Sequence, residues 1–428
     1  MASPFGALSP KLPTTLDPRG TSVVNLRSAG ALLEVPEGFE YCAFHVSGMR
    51  MSDRNPCPSD HDGMACFPGP RRDTYILVQN HELSPGEDDG SGFTGGTGLR
   101  KAYDKFDGDG GPGIGAGGCS NIIVSADGRV LRDYVSLAGT IRNCAGGPTP
   151  WGTWISCEEN TTVPADNPAV TQKHGYNFEV RARGGLANPV PLIDMGRFNH
   201  EAVCVDPETG YVYETEDRGD SSIYRFRPNV SGNLKQGGVL EALVIEGGPQ
   251  DTRTGVLGSK GDPLPVKWVK LDDVDPAEDT LRFEAQEKGA AIFARGEGAW
   301  FGNGTAYFVC TSGGDQGNGQ VWAYDDSSKT ITLVVESTDA TELDNPDNIT
   351  VSPVDGSLYL MEDGGGEQFI VGVTPSGDLF KLVRNNLNES EFAGGCFSAD
   401  STKMFFNIQT PGITFMLYRT DGQPIVAG

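Results

Sequence analysis

The sequence predicts an all-β fold: a six-bladed β-propeller with long inserted loops and a few short helices. Three observations lead there. Strand signals, short β-branched and aromatic runs bounded by Gly, Asp, Asn and Pro, far outnumber helical ones. Glycine supplies 59 of 428 residues, about twice its usual share, so the chain turns often. One strand-and-turn pattern recurs, the mark of a repeat architecture.

In that pattern a turn with Asp-Gly or Thr-Gly leads into a short apolar or aromatic strand ending in acidic or amide residues. The clearest copies, 203–217 and 351–363, match nearly position for position. Looser copies lie at 73–82, 150–159, 304–311 and 397–409. Units near the ~40–50-residue length of a blade read as one propeller domain. It is expected to span 31–428 after an N-terminal extension 1–30, with insertions near 86–118 and 230–291. Helices are expected only over 275–281 and in short pieces around 97–106.

The charge balance, 33 Lys and Arg against 58 Asp and Glu, leaves a net charge of −25. Such a field repels phosphate backbones, which excludes nucleic acid as a partner, and it attracts cations. Many carboxylates with only 5 His favour hard ions with oxygen ligands over zinc. A hydrophobic content of 37% supports a large core rather than disorder. No apolar run approaches the ~18–20 residues of a membrane span. The 9 Cys form no CxxC pair; Cys57 and Cys66 flank a short Pro/Asp/Gly loop that a small disulfide could close. The start, Met1-Ala-Ser-Pro-Phe-Gly, has neither a basic nor an apolar leader region, which fits a cytoplasmic protein or one whose leader is removed.

In a propeller, equivalent strand ends converge on one channel mouth. The repeats end in Glu82, Glu158 and Glu159, Glu216 and Asp217, Thr311, Glu362 and Asp363, and Gln409. Carboxylates gathered without counter-charge force one another to protonate, and multivalent cations relieve this; calcium takes 6–8 oxygen ligands. Segment 140–160 concentrates Asn143, Cys144, glycines and two tryptophans. A cysteine among small residues packs as an inert hydrophobe, or beside a metal becomes a thiolate ligand for a softer or redox-active ion. His200 and Glu201 are adjacent, so on a strand only one enters a shared site; Glu201 is chosen. Arg295 and Glu297 share a face if extended, as an ion pair or as a fork for a phosphate or carboxylate.

Several segments together resemble the PhoX-type alkaline phosphatases, calcium- and iron-dependent phosphomonoesterases. They are Asn80-His-Glu82, the block from Asn143-Cys-Ala-Gly-Gly to Cys157-Glu-Glu159, Gly196-Arg-Phe-Asn-His-Glu201, Glu216-Asp217, Arg295-Gly-Glu297, Pro346-Asp-Asn348 and Met361-Glu-Asp363. The resemblance implies a six-bladed propeller with a pair of Fe3+ ions and two or three Ca2+ ions at one channel mouth. It implies Cys144 as an iron thiolate, Glu82, Glu201 and Glu297 as further iron or bridging ligands, and Glu159, Glu216, Asp217 and Asp347 as calcium ligands. Glu362 joins the expected metal ligands, and Arg295, the phosphate contact, and Asn143 are the expected catalytic residues. The implied activity is hydrolysis of small phosphorylated substrates by a monomer exported folded through the twin-arginine route, hence periplasmic or secreted. Two other readings stay open at this point. One is a calcium-only propeller hydrolase, phytase-like or a lactonase, in which Cys144 merely packs. The other is a non-catalytic, calcium-stabilised binding propeller.

Overall fold

The computed structural model of the protein describes residues 3–19, 26, 30–84, 101–104, 116–168 and 170–427. Among these the fold is all-β, with five sheets of six, three, nine, five and four strands. The expected six separate blades are therefore corrected. Four sheets stand in a propeller-like ring, and the fifth, nine-stranded, curls until its edge strands His200–Val205 and Gly296–Gly302 pack together, a nearly closed barrel-like sheet.

The cause lies in 230–291, expected as an inserted loop. It supplies Gly238–Ile245 and Leu264–Lys270, and the latter pairs on one edge with Gly238–Ile245 and on the other with Thr330–Glu336. This one strand joins two hairpin systems into a continuous sheet. Inside the curl Tyr213, Leu243, Val266, Phe308, Trp322 and Tyr324 form a buried core. Each such side chain contributes about 1.5–3 kcal/mol on burial.

The ring is closed by the two ends of the chain. Phe39–Val46 pairs with Ile413–Arg419, and Leu8–Lys11 pairs with Leu33–Pro36, which continues the sheet of Leu379–Asn385. The innermost strands follow one another around the axis: His61–Pro68, Asn143–Pro148, His200–Val205, Gly296–Gly302, Pro346–Val351 and Phe392–Phe397, the last returning to the first. They crowd closely. A Cβ on Gly63 would lie 2.6 Å from Ala145 Cα, and one on Gly298 would lie 2.8 Å from the Asp347 carbonyl oxygen, so both positions need glycine.

Among the described residues the α-helix is Leu281–Glu287, beginning where the expected 275–281 segment ends. Upstream, the Pro276 and Ala277 carbonyls instead accept hydrogen bonds from Arg197 Nη1, at 3.0 and 3.3 Å, which holds the chain irregular. Residues 101–104 are not helical, and the rest of the expected pieces around 97–106 lie outside the described residues, as does most of 86–118. Cys57 and Cys66 are not joined: all nine cysteines remain thiols. Among the described residues no helix is long and apolar enough to cross a membrane.

Candidate metal centre

The second residue of five inner strands is Asp62, Cys144, Glu201, Glu297 or Asp347. At each the pairing with the next strand slips register. A bulge sets an extra residue against the partner strand and re-aims its side chain. The partner strands run antiparallel, so they end where these begin. They add Glu82, Glu159, Asp217, Asp363 and Gln409, each immediately after its strand, while Glu391 precedes Phe392–Phe397.

Alternation along a strand sorts the acidic pairs. Glu158, Glu216 and Glu362 turn away from the axis and hold backbone inside their sheets. Glu158 accepts from the amides of Ile141, Gly175 and Tyr176. Glu216 accepts from the Tyr224 hydroxyl at 2.8 Å, and Glu362 from the amides of Asp344 and Phe369. Glu216 and Glu362, expected as metal ligands, are thus not brought into the axial cluster. Asn143, expected to be catalytic, is buried with its amide spent on Ser156 Oγ at 2.8 Å and its oxygen on Thr140 Oγ1 at 2.6 Å. His200 Nε2 donates to the Gly196 carbonyl at 3.0 Å and its Nδ1 lies 3.3 Å from Glu214 Oε2, while Glu201 faces Cys144.

The remaining expected residues do meet. Cys144 Sγ lies 3.1 Å from Glu201 Oε1 and 3.6 Å from Asp62 Oδ2. Gln409 Nε2 donates to Glu82 Oε2 at 2.8 Å. Arg142 spans Glu82 and Glu159, the latter at 2.5 Å. Arg295 spans Asp217, at 2.8 and 3.0 Å, and Glu297, at 2.7 Å. Asn80 fixes the thiol from behind, donating to the carbonyls of Cys144 and Ala145 at 3.1 and 2.7 Å.

Three ligand groups run through this cluster: Asp62, Glu82 and Cys144; Cys144, Glu159 and Glu201; Glu201, Glu297 and Asp347. Within each, the donor atoms lie within 4.8 Å of one another, and Cys144 and Glu201 link the groups into one arc. Burial, reinforced by neighbouring acids, pushes Glu82, Glu201, Glu297, Asp347 and Glu391 well above the usual carboxylate range, and Asp363 up to about 6. Asp62 Oδ1 and Glu201 Oε2 are buried without a hydrogen-bond partner. Crowded acids with orphaned oxygens fit cations, and the oxygen-rich set with one sulfur suits hard ions beside a softer one.

Asp62, Glu391, Arg142 and Asn199 were missed in the sequence, Asn199 donating to Glu159 Oε1 at 3.1 Å. For Arg142 a signal existed. Arg142-Asn143-Cys144 has the spacing of Arg295-Gly296-Glu297, and both arginines take the same left-handed backbone, φ 45° and 47°, just before an inner strand.

The alkaline phosphatase PhoX family model matches residues 20–125 and 110–412. Among solved structures the chain is similar to Pseudomonas fluorescens PhoX in complex with vanadate, a transition state analogue. The TM-score is 0.70 at 17% identity, covering 92% of this chain and 97% of that one. A gluconolactonase from Xanthomonas campestris matches with a TM-score of 0.42 at 14% identity, over 84% of this chain and 86% of that one. No curated protein sequence matches. With family matches extending over most of its length, the chain belongs to the alkaline phosphatase PhoX family.

Proposed function

We propose that the protein is a metal-dependent phosphatase that hydrolyses small phosphomonoesters at a multinuclear iron and calcium site in the channel mouth. The observation that carries this is the arc of three ligand groups joined through Cys144 and Glu201 and flanked by two partly exposed arginines. Asp62, Glu82, Cys144, Glu159, Glu201, Glu297 and Asp347 would hold the ions, with Asp217 and Asp363 at the rim. Bound there, the ions supply positive charge that draws in a phosphate dianion and polarises its oxygens and a water nucleophile.

The chain's own residues do the positioning. Arg295 is pinned on two sides by Asp217 and Glu297 while 43% of its side chain stays exposed, so its fork keeps donors for a phosphate oxygen. Arg142, 35% exposed and pinned by Glu82 and Glu159, offers a second cation across the mouth. Donors fixed before substrate arrives need no reorganisation as charge gathers on the phosphoryl oxygens. Gln409 orients Glu82, and Asn80 fixes the backbone that carries Cys144.

The test is phosphate release from p-nitrophenyl phosphate by protein expressed with iron and calcium. Arg295→Lys keeps the charge but loses the planar fork, so kcat/KM should fall about 10–100-fold. Glu201→Ala, which breaks the arc at its junction, should abolish turnover. Full activity in Glu201→Ala, or no turnover by metal-loaded protein on any phosphate ester, would reject the reading.

A further inference from the structure

A second ligand cluster lies behind the strand ends that carry Asp62 and Glu82. His61 and His81 precede these acids and so face away from the axis; His81 takes the place of Glu158, Glu216 and Glu362 in other hairpins, and His61 is the residue paired opposite it. Where those glutamates hold backbone amides, this hairpin gathers nitrogen and sulfur. One donor atom each from His45, Cys57 and His61 lies within 4.8 Å of the others, and all three side chains are buried.

Cys57 Sγ is 3.4 Å from His61 Nε2. A tetrahedral zinc with Zn–S near 2.3 Å and Zn–N near 2.0–2.1 Å sets sulfur and nitrogen about 3.5 Å apart. His45 reaches the group through a bulge. Phe44 pairs with Thr414 and Val46 with Ile413, which leaves His45 as the extra residue at φ 49°. Its buried Nδ1 lies 3.5 Å from Asp133 Oδ2, which leaves Nε2, now 3.1 Å from Ser120 Oγ, as the nitrogen that would exchange this contact for the ion. Asp133 is itself held by Ser52, whose amide and Oγ donate at 2.7 Å, and by Arg19. A fixed carboxylate behind a histidine is the arrangement that orients metal-bound imidazoles.

We propose that His45, Cys57 and His61 form a three-ligand site for a borderline-soft transition-metal ion, zinc by ligand type, separate from the axial acids. On binding, the Cys57 thiol loses its proton to solvent. His61 Nε2 gives up its 3.0 Å contact with the Pro58 carbonyl, and the ring proton sits on Nδ1, 3.4 Å from Thr414 Oγ1. The ion would tie the 47–60 loop to the strand that presents Asp62.

The experiment uses the full chain carrying Cys144→Ser, which removes the axial sulfur, stripped by chelation and titrated with Co2+ alone. One equivalent should give a thiolate-to-cobalt charge-transfer band and a tetrahedral visible spectrum, both erased by one equivalent of Zn2+. Adding Cys57→Ser should abolish the charge-transfer band. Adding His45→Asn instead, which keeps size and polarity, should weaken Co2+ binding at least tenfold, with near-ultraviolet circular dichroism confirming a native fold. Absence of the band in Cys144→Ser protein, its persistence after Cys57→Ser, or unchanged affinity in His45→Asn overturns the site.

Discussion

The Cys144 thiol donates to Glu201 Oε1 across 3.1 Å, joining neighbouring inner strands through residues 57 apart in sequence. Burial, with Asp62, Glu201, Glu82 and Glu159 around it, pushes this thiol well above its ordinary range, so only a bound cation makes it a thiolate. Cys144→Ser should therefore keep its fold, losing about 0.5–1.5 kcal/mol with one hydrogen bond. It should retain calcium, because the oxygen ligands remain, but lose iron and at least 100-fold in phosphate release. Elemental analysis beside the assay checks this; normal iron content in Cys144→Ser would remove sulfur from the centre.

Glu216 and Asp217 are adjacent yet serve different structures. Glu216, raised to about 7 by burial and by Asp279, is bonded to Tyr224 and lies 3.5 Å from Arg282. Asp217 holds the Arg295 fork. Glu216→Gln keeps an acceptor for Tyr224 and should cost about 1–2 kcal/mol of stability with activity changed less than threefold. Asp217→Asn leaves the fold intact, frees Arg295 and should cut kcat/KM at least tenfold. Equal losses in the two variants would show that alternation does not divide the pair by role.

This division also marks how far the sequence reaches. The repeat places Glu82, Glu159, Asp217 and Asp363 at equivalent strand ends, and the block from Asn143 to Glu159 carries the family likeness in its own residues. Which member of Glu216-Asp217 faces the axis depends on where the strand stops, and periodicity does not resolve that to one residue. Asp62 was invisible because a register slip between His61 and Met64 aims it, and a slip is set by pairing with a distant strand. Likewise the joining of two hairpin systems rests on Leu264–Lys270 finding partners on both edges. Its sequence, interrupted by Pro and Lys, preceded by a Gly-rich stretch and followed by an Asp-rich one, reads as a loop.

Removing the metals should make stability depend on pH in a definite direction. With folded-state carboxyls raised, the native chain holds protons that the unfolded chain, with Asp and Glu near 3.9 and 4.3, has released. Stability then falls as pH rises from about 4, by about 1.4 kcal/mol per pH unit for each proton retained. Asp363, raised to about 6, stops contributing first, while Glu201, Glu297 and Asp347 carry the decline to higher pH. Calorimetry should find the melting temperature of chelated protein dropping steadily from pH 5 to 8. Protein reloaded with iron and calcium should hold its value, because ligation keeps these acids ionised. Parallel curves for the two forms would mean that the axial acids do not take up the ions.

A basic limit of a different kind is set by His174. Its ring is buried between Glu158 Oε1, 2.6 Å from Nδ1, and Asp104 Oδ2, 3.3 Å from Nε2. Burial alone would lower its pKa, but Glu158 and Asp104 outweigh it and raise the imidazolium to about 9. A histidine raised above its unfolded value near 6.5 stabilises fully below that pH, and the contribution is lost as pH climbs through 9. The shift corresponds to on the order of 3 kcal/mol. His174→Asn cannot carry the charge, so it should melt well below the wild type at pH 6. The gap should close progressively between pH 7 and 10, as the wild type loses what the variant never had. Because Glu158 sits beside Glu159 and is anchored by this ring, the variant should also loosen the strand end at the mouth, seen as weaker calcium retention at pH 7. A difference in melting temperature that stays constant from pH 6 to 10 would show that the ring is neutral in the folded protein.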